Sequence, residues 1–108
     1  MPTYMTQFSY TAAAWAALAK NPEDRGAALA ALMEKLGGRL LNIYNTFGEY
    51  DGVAIFETPE DITAMAGVLA ATAPGHLKGT KTTRLFSTEE AMQAMRKAGE
   101  VVYAAPKG

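Results

Sequence analysis

The chain has 108 residues, ten basic and eleven acidic side chains, a net charge of −1 and no cysteine. This length predicts one domain over residues 1–108, with its core over about residues 3–90 and a C-terminal helix and tail over 87–108. Balanced charge argues against nucleic-acid and membrane partners, and the lack of cysteine excludes disulfides and thiolate metal sites. With no secretory signal and no apolar run of about 20 residues, we expect a cytoplasmic protein.

The first half of the chain predicts a strand and then two consecutive helices. Thr3–Tyr10 alternates its side chains as β-strands do. Thr11–Lys20 is rich in alanine and predicts a short helix, which must pack on something to be stable at this length. Asn21, followed by Pro22 and two acids, predicts the start of a longer helix that ends at Gly37. The face of this helix that we expect to cover a sheet consists of Leu29, Leu32, Met33 and Leu36.

The second half repeats this pattern and adds a further helix. Leu40–Phe47 and Gly52–Glu57 predict two strands joined by a hairpin. Thr58, followed by proline and two acids, predicts the next helix start. The face of that helix expected to cover the sheet consists of Ile62, Met65, Val68 and Leu69. Leu77–Phe86 predicts the fourth strand, and Ser87 predicts a capping box that opens a short helix.

The predicted order β-α-β-β-α-β is that of an α+β, ferredoxin-like fold, an antiparallel sheet with helices on one face. In a single domain of this kind the other face should be polar. The second strand instead places Leu41 and Ile43 on one side and Leu40 and Tyr44 on the other, so both faces are apolar. Because exposed apolar patches mark interfaces or ligand cavities, we expect two copies to join these faces in a dimeric α+β barrel or a larger ring.

The run Phe47-Gly48-Glu49-Tyr50-Asp51, between the two middle strands, has the character of a signature. Together with a further set of positions, this run resembles the GYD-domain family over about residues 3–90. These positions are Tyr4, Phe8–Thr11, Gly37, Gly38, Tyr44, Pro59, Gly75, Thr80 and Phe86. The resemblance implies a small bacterial or archaeal protein with a dimeric α+β barrel fold and a largely uncharacterised function.

The signature is compatible with two hairpin registers. If Asp51 and Gly52 form a type I′ turn, Asp51 only caps it, with Gly48 and Gly52 supplying positive φ angles. If the turn lies at Phe47-Gly48, the third strand begins at Glu49 and Asp51 points into an apolar layer. There its carboxylate could exchange a proton with a ligand. We interpret the motif first as structural and second as a ligand contact.

Asp51 and His76, the only histidine, are the candidates for catalysis. A surface or capping role is more common for such a histidine than metal or haem ligation, so we expect no cofactor and no metal. Five residues could line an aromatic pocket between subunits. These candidate ligand-binding residues are Tyr4, Tyr10, Trp15, Asn42 and Tyr44.

The sequence therefore predicts a homo-oligomer that binds a small apolar or aromatic molecule in an intersubunit barrel. Barrels of this class elsewhere include enzymes, so the alternative is a cofactor-independent monooxygenase or isomerase. The small number of strong acid-base residues argues against the enzyme.

Overall fold

The computed structural model describes residues 1–108 and contains eight elements of secondary structure. In chain order they are β1 (Thr3–Tyr10), α1 (Ala12–Lys20), α2 (Arg25–Lys35), β2 (Arg39–Asn45), β3 (Gly52–Glu57), α3 (Asp61–Thr72), β4 (Leu77–Leu85) and α4 (Thr88–Gly99). No helix combines the length and the apolar composition needed to cross a membrane.

The four strands form one antiparallel sheet in the order β2-β3-β1-β4. The two central strands, β1 and β3, pair so that Phe8 lies opposite Gly52, and on its other side Phe8 lies opposite Thr80. This order confirms the predicted ferredoxin-like fold. The predicted pairing of two copies stays a prediction.

The helices α1, α2 and α3 pack on one face of the sheet. Alternate residues of the central strands are buried beneath them, with Phe8 and Tyr10 around Ala54 and with Tyr4 and Phe56 around Met33. The opposite, open face carries the other phase, which is only partly buried. Its central residues are Met5, Gln7, Val53 and Ile55. Both faces of the sheet therefore carry apolar residues, but helices cover only one of them.

Two helices begin later than the sequence predicts. Asn21 does not start α2, because its backbone N–H ends α1 by donating to the carbonyl of Ala17. The cap of α2 is Asp24, whose carboxylate accepts from the N–H groups of Gly26 and Ala27 at 2.9 and 3.3 Å. In the same way α3 starts after Glu60 rather than after Thr58. Each proline consequently lies in the connecting loop.

The face that α3 turns to the sheet also differs from the prediction. Ala64 and Gly67 are buried, whereas Ile62, Met65 and Leu69 are exposed. Of the four residues of the predicted face, only Val68 is half-buried. The reason lies at Gly67, where a Cβ would stand 2.7 Å from the Cε of Met33. Since a bulky face cannot come this close, the small residues of α3 face the core.

The last helix, α4, projects from the body of the protein. Ser87 and Glu90 form the predicted capping box, with the two hydrogen bonds at 2.9 and 3.1 Å. No residue of α4 is buried, and the tail after it is exposed. The molecule is 59 Å along its longest axis, although the longest strand accounts for only about 30 Å.

Candidate functional site

A cavity of about 200 Å³ lies between the covered face of the sheet and the helices α2 and α3. Its lining is mostly apolar and includes Phe8 and Ala54 from the strands, Met33 from α2 and Gly67 from α3. Ala54 carries only a methyl group, and Gly67 carries no side chain. Small residues of the sheet and of α3 therefore face this space, and the methyl group of Met33 fills the part of it next to Gly67.

Three polar side chains stand where this cavity meets a second, more open depression beside α1. Tyr10, Arg25 and His76 line both spaces. The rings of Tyr10 and His76 have their centres 6.3 Å apart, and Arg25 forms an ion pair with Glu23 at 2.6 Å. These residues form the polar end of a mainly apolar cavity, in which Thr6 and Thr80 are the other polar residues, so a ligand's polar group would bind at that end.

The surroundings of this polar end set the protonation of His76. Burial lowers its pKa from 6.5, and the nearby positive charge of Arg25 lowers it further. Burial is also the main cause of the raised pKa of Tyr10. At neutral pH the imidazole is therefore mainly uncharged, with one nitrogen that donates a hydrogen bond and one that accepts.

Asp51 links three parts of the chain. Its Oδ2 accepts hydrogen bonds from the backbone N–H of Tyr10 at 2.9 Å and from the indole N–H of Trp15 at 3.1 Å. Its own N–H donates to the carbonyl of Phe8 at 2.8 Å, and its carbonyl accepts from the N–H of Thr46 at 2.9 Å. The carboxylate therefore ties the signature loop to the end of β1 and to α1.

Both predicted hairpin registers are wrong. The strand β2 ends at Asn45 and β3 begins at Gly52, so the connection is a longer loop that contains the whole signature. Neither Gly48 nor Gly52 has a positive φ, which among glycines is confined to Gly37 and Gly75. Asp51 neither caps a tight turn nor points to the open face, because its side chain is directed to Tyr10 and Trp15.

Gly52 has a packing role instead of a turn role. A Cβ at this position would lie 2.3 Å from the Cζ of Phe8, so the phenyl ring occupies the space that a side chain would need. At the tip of the loop, Phe47 is fully exposed, and Gly48 and Glu49 are also exposed, whereas Tyr50 is half-buried. The end of the signature is thus structural, and its tip is free to contact solvent.

The structure divides the five predicted ligand-binding residues between the two faces of the sheet. Tyr4 and Tyr10 lie on the covered face, and Trp15 packs edge-on against Tyr10 with ring centres 5.0 Å apart. Asn42 and Tyr44 lie on the open face, where they pair with Ile55 and Val53 of β3. The five therefore do not line one pocket within a chain.

Of all the predicted site residues, only Tyr10 and His76 line the main cavity. Tyr4 instead donates a hydrogen bond from its hydroxyl to Asp61, the first residue of α3, at the other end of β1. Sequence reasoning missed Arg25, whose position in the first turn of α2 gave no signal. The alternation of small residues in β3 and α3 was the available sign of a cavity. No group of three histidine or acidic side chains is arranged to hold a metal ion.

Comparison with known proteins gives one positive result. A family model described as the GYD domain matches residues 4–95. No curated protein and no solved structure matches the chain. The match includes every residue that lines the main cavity as well as the signature loop.

Proposed function

We propose that this chain, which belongs to the GYD domain family, is a homo-oligomeric protein that binds a small, mainly apolar molecule with one polar end. The observation that carries the proposal is the cavity of about 200 Å³ between the sheet and the helices α2 and α3. We assign the ligand to this cavity within each chain. The cytoplasmic location and the bacterial source stay predictions.

The size of the cavity limits the ligand. Apolar cavities of about 150 Å³ in proteins accept benzene, so one aromatic ring with a short substituent suits this space. Phe8, Met33 and Ala54 provide apolar contact on both sides of such a ring. A ring held there leaves water, and this transfer favours binding by roughly 25 cal/mol for each Å² of apolar surface buried.

The polar end of the cavity favours a ligand with a hydrogen-bond acceptor. Arg25 can donate from its guanidinium, and the neutral imidazole of His76 can donate or accept. Because Glu23 already balances the charge of Arg25, a full negative charge on the ligand is not required. An aromatic alcohol, aldehyde or acid satisfies these conditions.

The open face of the sheet supports self-association. Met5, Val53 and Ile55 lie side by side on it, bordered by Tyr44, which is 59% exposed. A contact between two such faces would bury an apolar surface that the helices do not cover. We therefore retain the dimeric α+β barrel as the proposed assembly, with Asn42 and Tyr44 at the contact rather than in the ligand cavity.

Benzyl alcohol is a suitable probe, since it combines one ring with one hydroxyl group. We expect saturable binding by the native protein, detected by ligand NMR, and loss of binding in Ala54→Leu, whose side chain fills the cavity from the sheet. The matched control is Ala94→Leu, the same change at an exposed position of α4. If Ala54→Leu melts cooperatively yet binds benzyl alcohol with native affinity, the proposal is wrong.

One observation supports an enzyme of the isomerase type as a second candidate. The imidazole of His76 lines the cavity and is mainly uncharged at neutral pH, as a general base must be. Such a base would exchange an acidic C–H proton of a bound carbonyl compound with solvent. Deuterium uptake by phenylacetaldehyde in D₂O, faster with the native protein than with His76→Asn, would support this candidate; equal rates would exclude it for this compound.

A further inference from the structure

The exposed helix α4 carries an apolar stripe that its own chain covers only in part. Met92 is 48% exposed and Met95 is 67% exposed. Helical spacing places them on one side of α4 with two alanines, whereas Lys97 lies on the other side. The α4 stripe consists of Ala91, Met92, Met95 and Ala98.

The total surface of the chain is large enough to accommodate a partner. A folded monomer of 11.5 kDa exposes about 5,800 Å², whereas this chain exposes 7717 Å². The excess of about 1,900 Å² exceeds the roughly 800 Å² that each partner buries in a standard interface. Only 12 of the 108 residues are buried, so the core of one chain is small and contact with another chain would extend it.

A second apolar stripe of the same length lies on α3. Ile62, Met65 and Leu69 are 76%, 64% and 57% exposed, and they follow one another at intervals of three and four residues. This α3 stripe faces away from the sheet because Ala64 and Gly67 face the core. Each stripe runs over seven residue steps of its 12-residue helix, which at 1.5 Å per residue is about 10.5 Å.

We propose that the α4 stripe of one chain packs antiparallel on the α3 stripe of a second copy. Each copy has one α3 and one α4, so the contact forms twice in a pair of chains. The α3 stripe lies on the helix side of the sheet, so this contact uses a different surface from the open face proposed for the barrel. The antiparallel direction opposes the two helix dipoles and brings Arg96, one turn after Met92, towards Glu60 at the start of α3. Methionine at the centre of both stripes suits such a contact, since its flexible side chain fits an irregular partner surface.

The start of α4 explains why the partner is a second copy rather than the same chain. Arg84 binds Glu90 at 3.7 Å and stacks over Phe86 at 4.4 Å, which fixes the first turn of α4 beside the end of β4. From this point α4 leads away from the sheet, and the stripes of α4 and α3 both stay exposed instead of packing on each other within one chain. The contact is independent of any ligand in the cavity.

The lack of cysteine allows a direct test by cross-linking. Two variants are prepared, Met65→Cys and Met95→Cys, and one of the two carries a tag so that the chains differ in size. The variants are mixed and gently oxidised. We expect a disulfide between the two kinds of chain, with a yield about tenfold above that of Met65→Cys mixed with Lys97→Cys, because thiols in contact gain in effective concentration. Lys97 is the control because it lies on the opposite side of α4.

Two results would overturn the proposal. The first is a yield from Met65→Cys and Met95→Cys no higher than that of the Lys97→Cys control, which would show that the stripes do not meet. The second is a disulfide within a single chain of the double variant, Met65→Cys with Met95→Cys, while the mixed chains give none. That result would show that α4 folds back on its own α3.

Discussion

Replacement of Asp51 by alanine should destabilise the protein although the side chain lies outside the cavity. The carboxylate accepts hydrogen bonds from the N–H of Tyr10 and from the indole of Trp15. Tyr10 is 5% exposed, so its N–H group would lose its partner without gaining water, at a cost of about 1–3 kcal/mol. Trp15 is 42% exposed and would bind water instead, which adds little. We expect a total loss of about 1–3 kcal/mol.

Urea unfolding, followed by far-ultraviolet circular dichroism, measures this loss. Asp51→Asn keeps a neutral acceptor and should lose only about 1 kcal/mol. The matched control is Glu49→Ala, which removes an exposed carboxylate of the same loop and should change stability by less than about 0.5 kcal/mol. If Asp51→Ala is as stable as Glu49→Ala, Asp51 does not hold the loop to β1 and α1.

Three further predictions concern the covered face of the sheet. Gly52→Ala should lower the free energy of unfolding in urea by about 1–3 kcal/mol and weaken the binding of benzyl alcohol, because the ring of Phe8 must move into the cavity. A variant as stable as the native protein would contradict this. Tyr4→Phe should cost about 1 kcal/mol through the hydrogen bond lost to Asp61, and an unchanged melting temperature would argue against that bond. The lowered pKa of His76 means that the unfolded chain binds its proton more tightly, so stability should fall as pH drops below about 6.5. His76→Asn should make that fall smaller between pH 7 and pH 5, and an identical pH profile would refute the assignment.

The fold was predictable because its signals are local and agree with one another. The alternating strands and the apolar helix faces follow the order of a ferredoxin-like fold, and the capping box at Ser87 occurs where predicted. The two proline motifs were less informative, since Asn21 was already used to end α1. Asn21 could have ended α1 or capped the start of α2. Which of the two it does depends on the length of the connection between the helices.

The buried face of α3 and the role of Asp51 could not be predicted from local sequence patterns. Periodicity favoured Ile62, Met65 and Leu69 for the core, but the close approach of Met33 selects the side with Gly67. Asp51 is defined by contacts with Tyr10 and Trp15, both distant in sequence. Single-sequence patterns contain no information about such long-range contacts.

The candidate site was predicted only in part for the same reason. His76 and Tyr10 were identified from residue type, and both line the cavity. The other aromatic candidates were grouped because they share a chemical class, whereas the sheet separates Tyr44 from Tyr10 by placing them on opposite faces. The small residues of β3 and α3 were a sign of the cavity, but which of them face each other depends on how α3 packs on the sheet.

The most direct test of the ligand site uses the six methionine methyl groups, labelled with ¹³C and observed by NMR during titration with benzyl alcohol. Met33 lines the cavity and is 1% exposed, whereas Met5 lies on the open face of the sheet. A ligand in the cavity should shift the Met33 signal and leave that of Met5 unchanged. A shift of Met5 without a shift of Met33 would instead locate the ligand between subunits and contradict the proposed site.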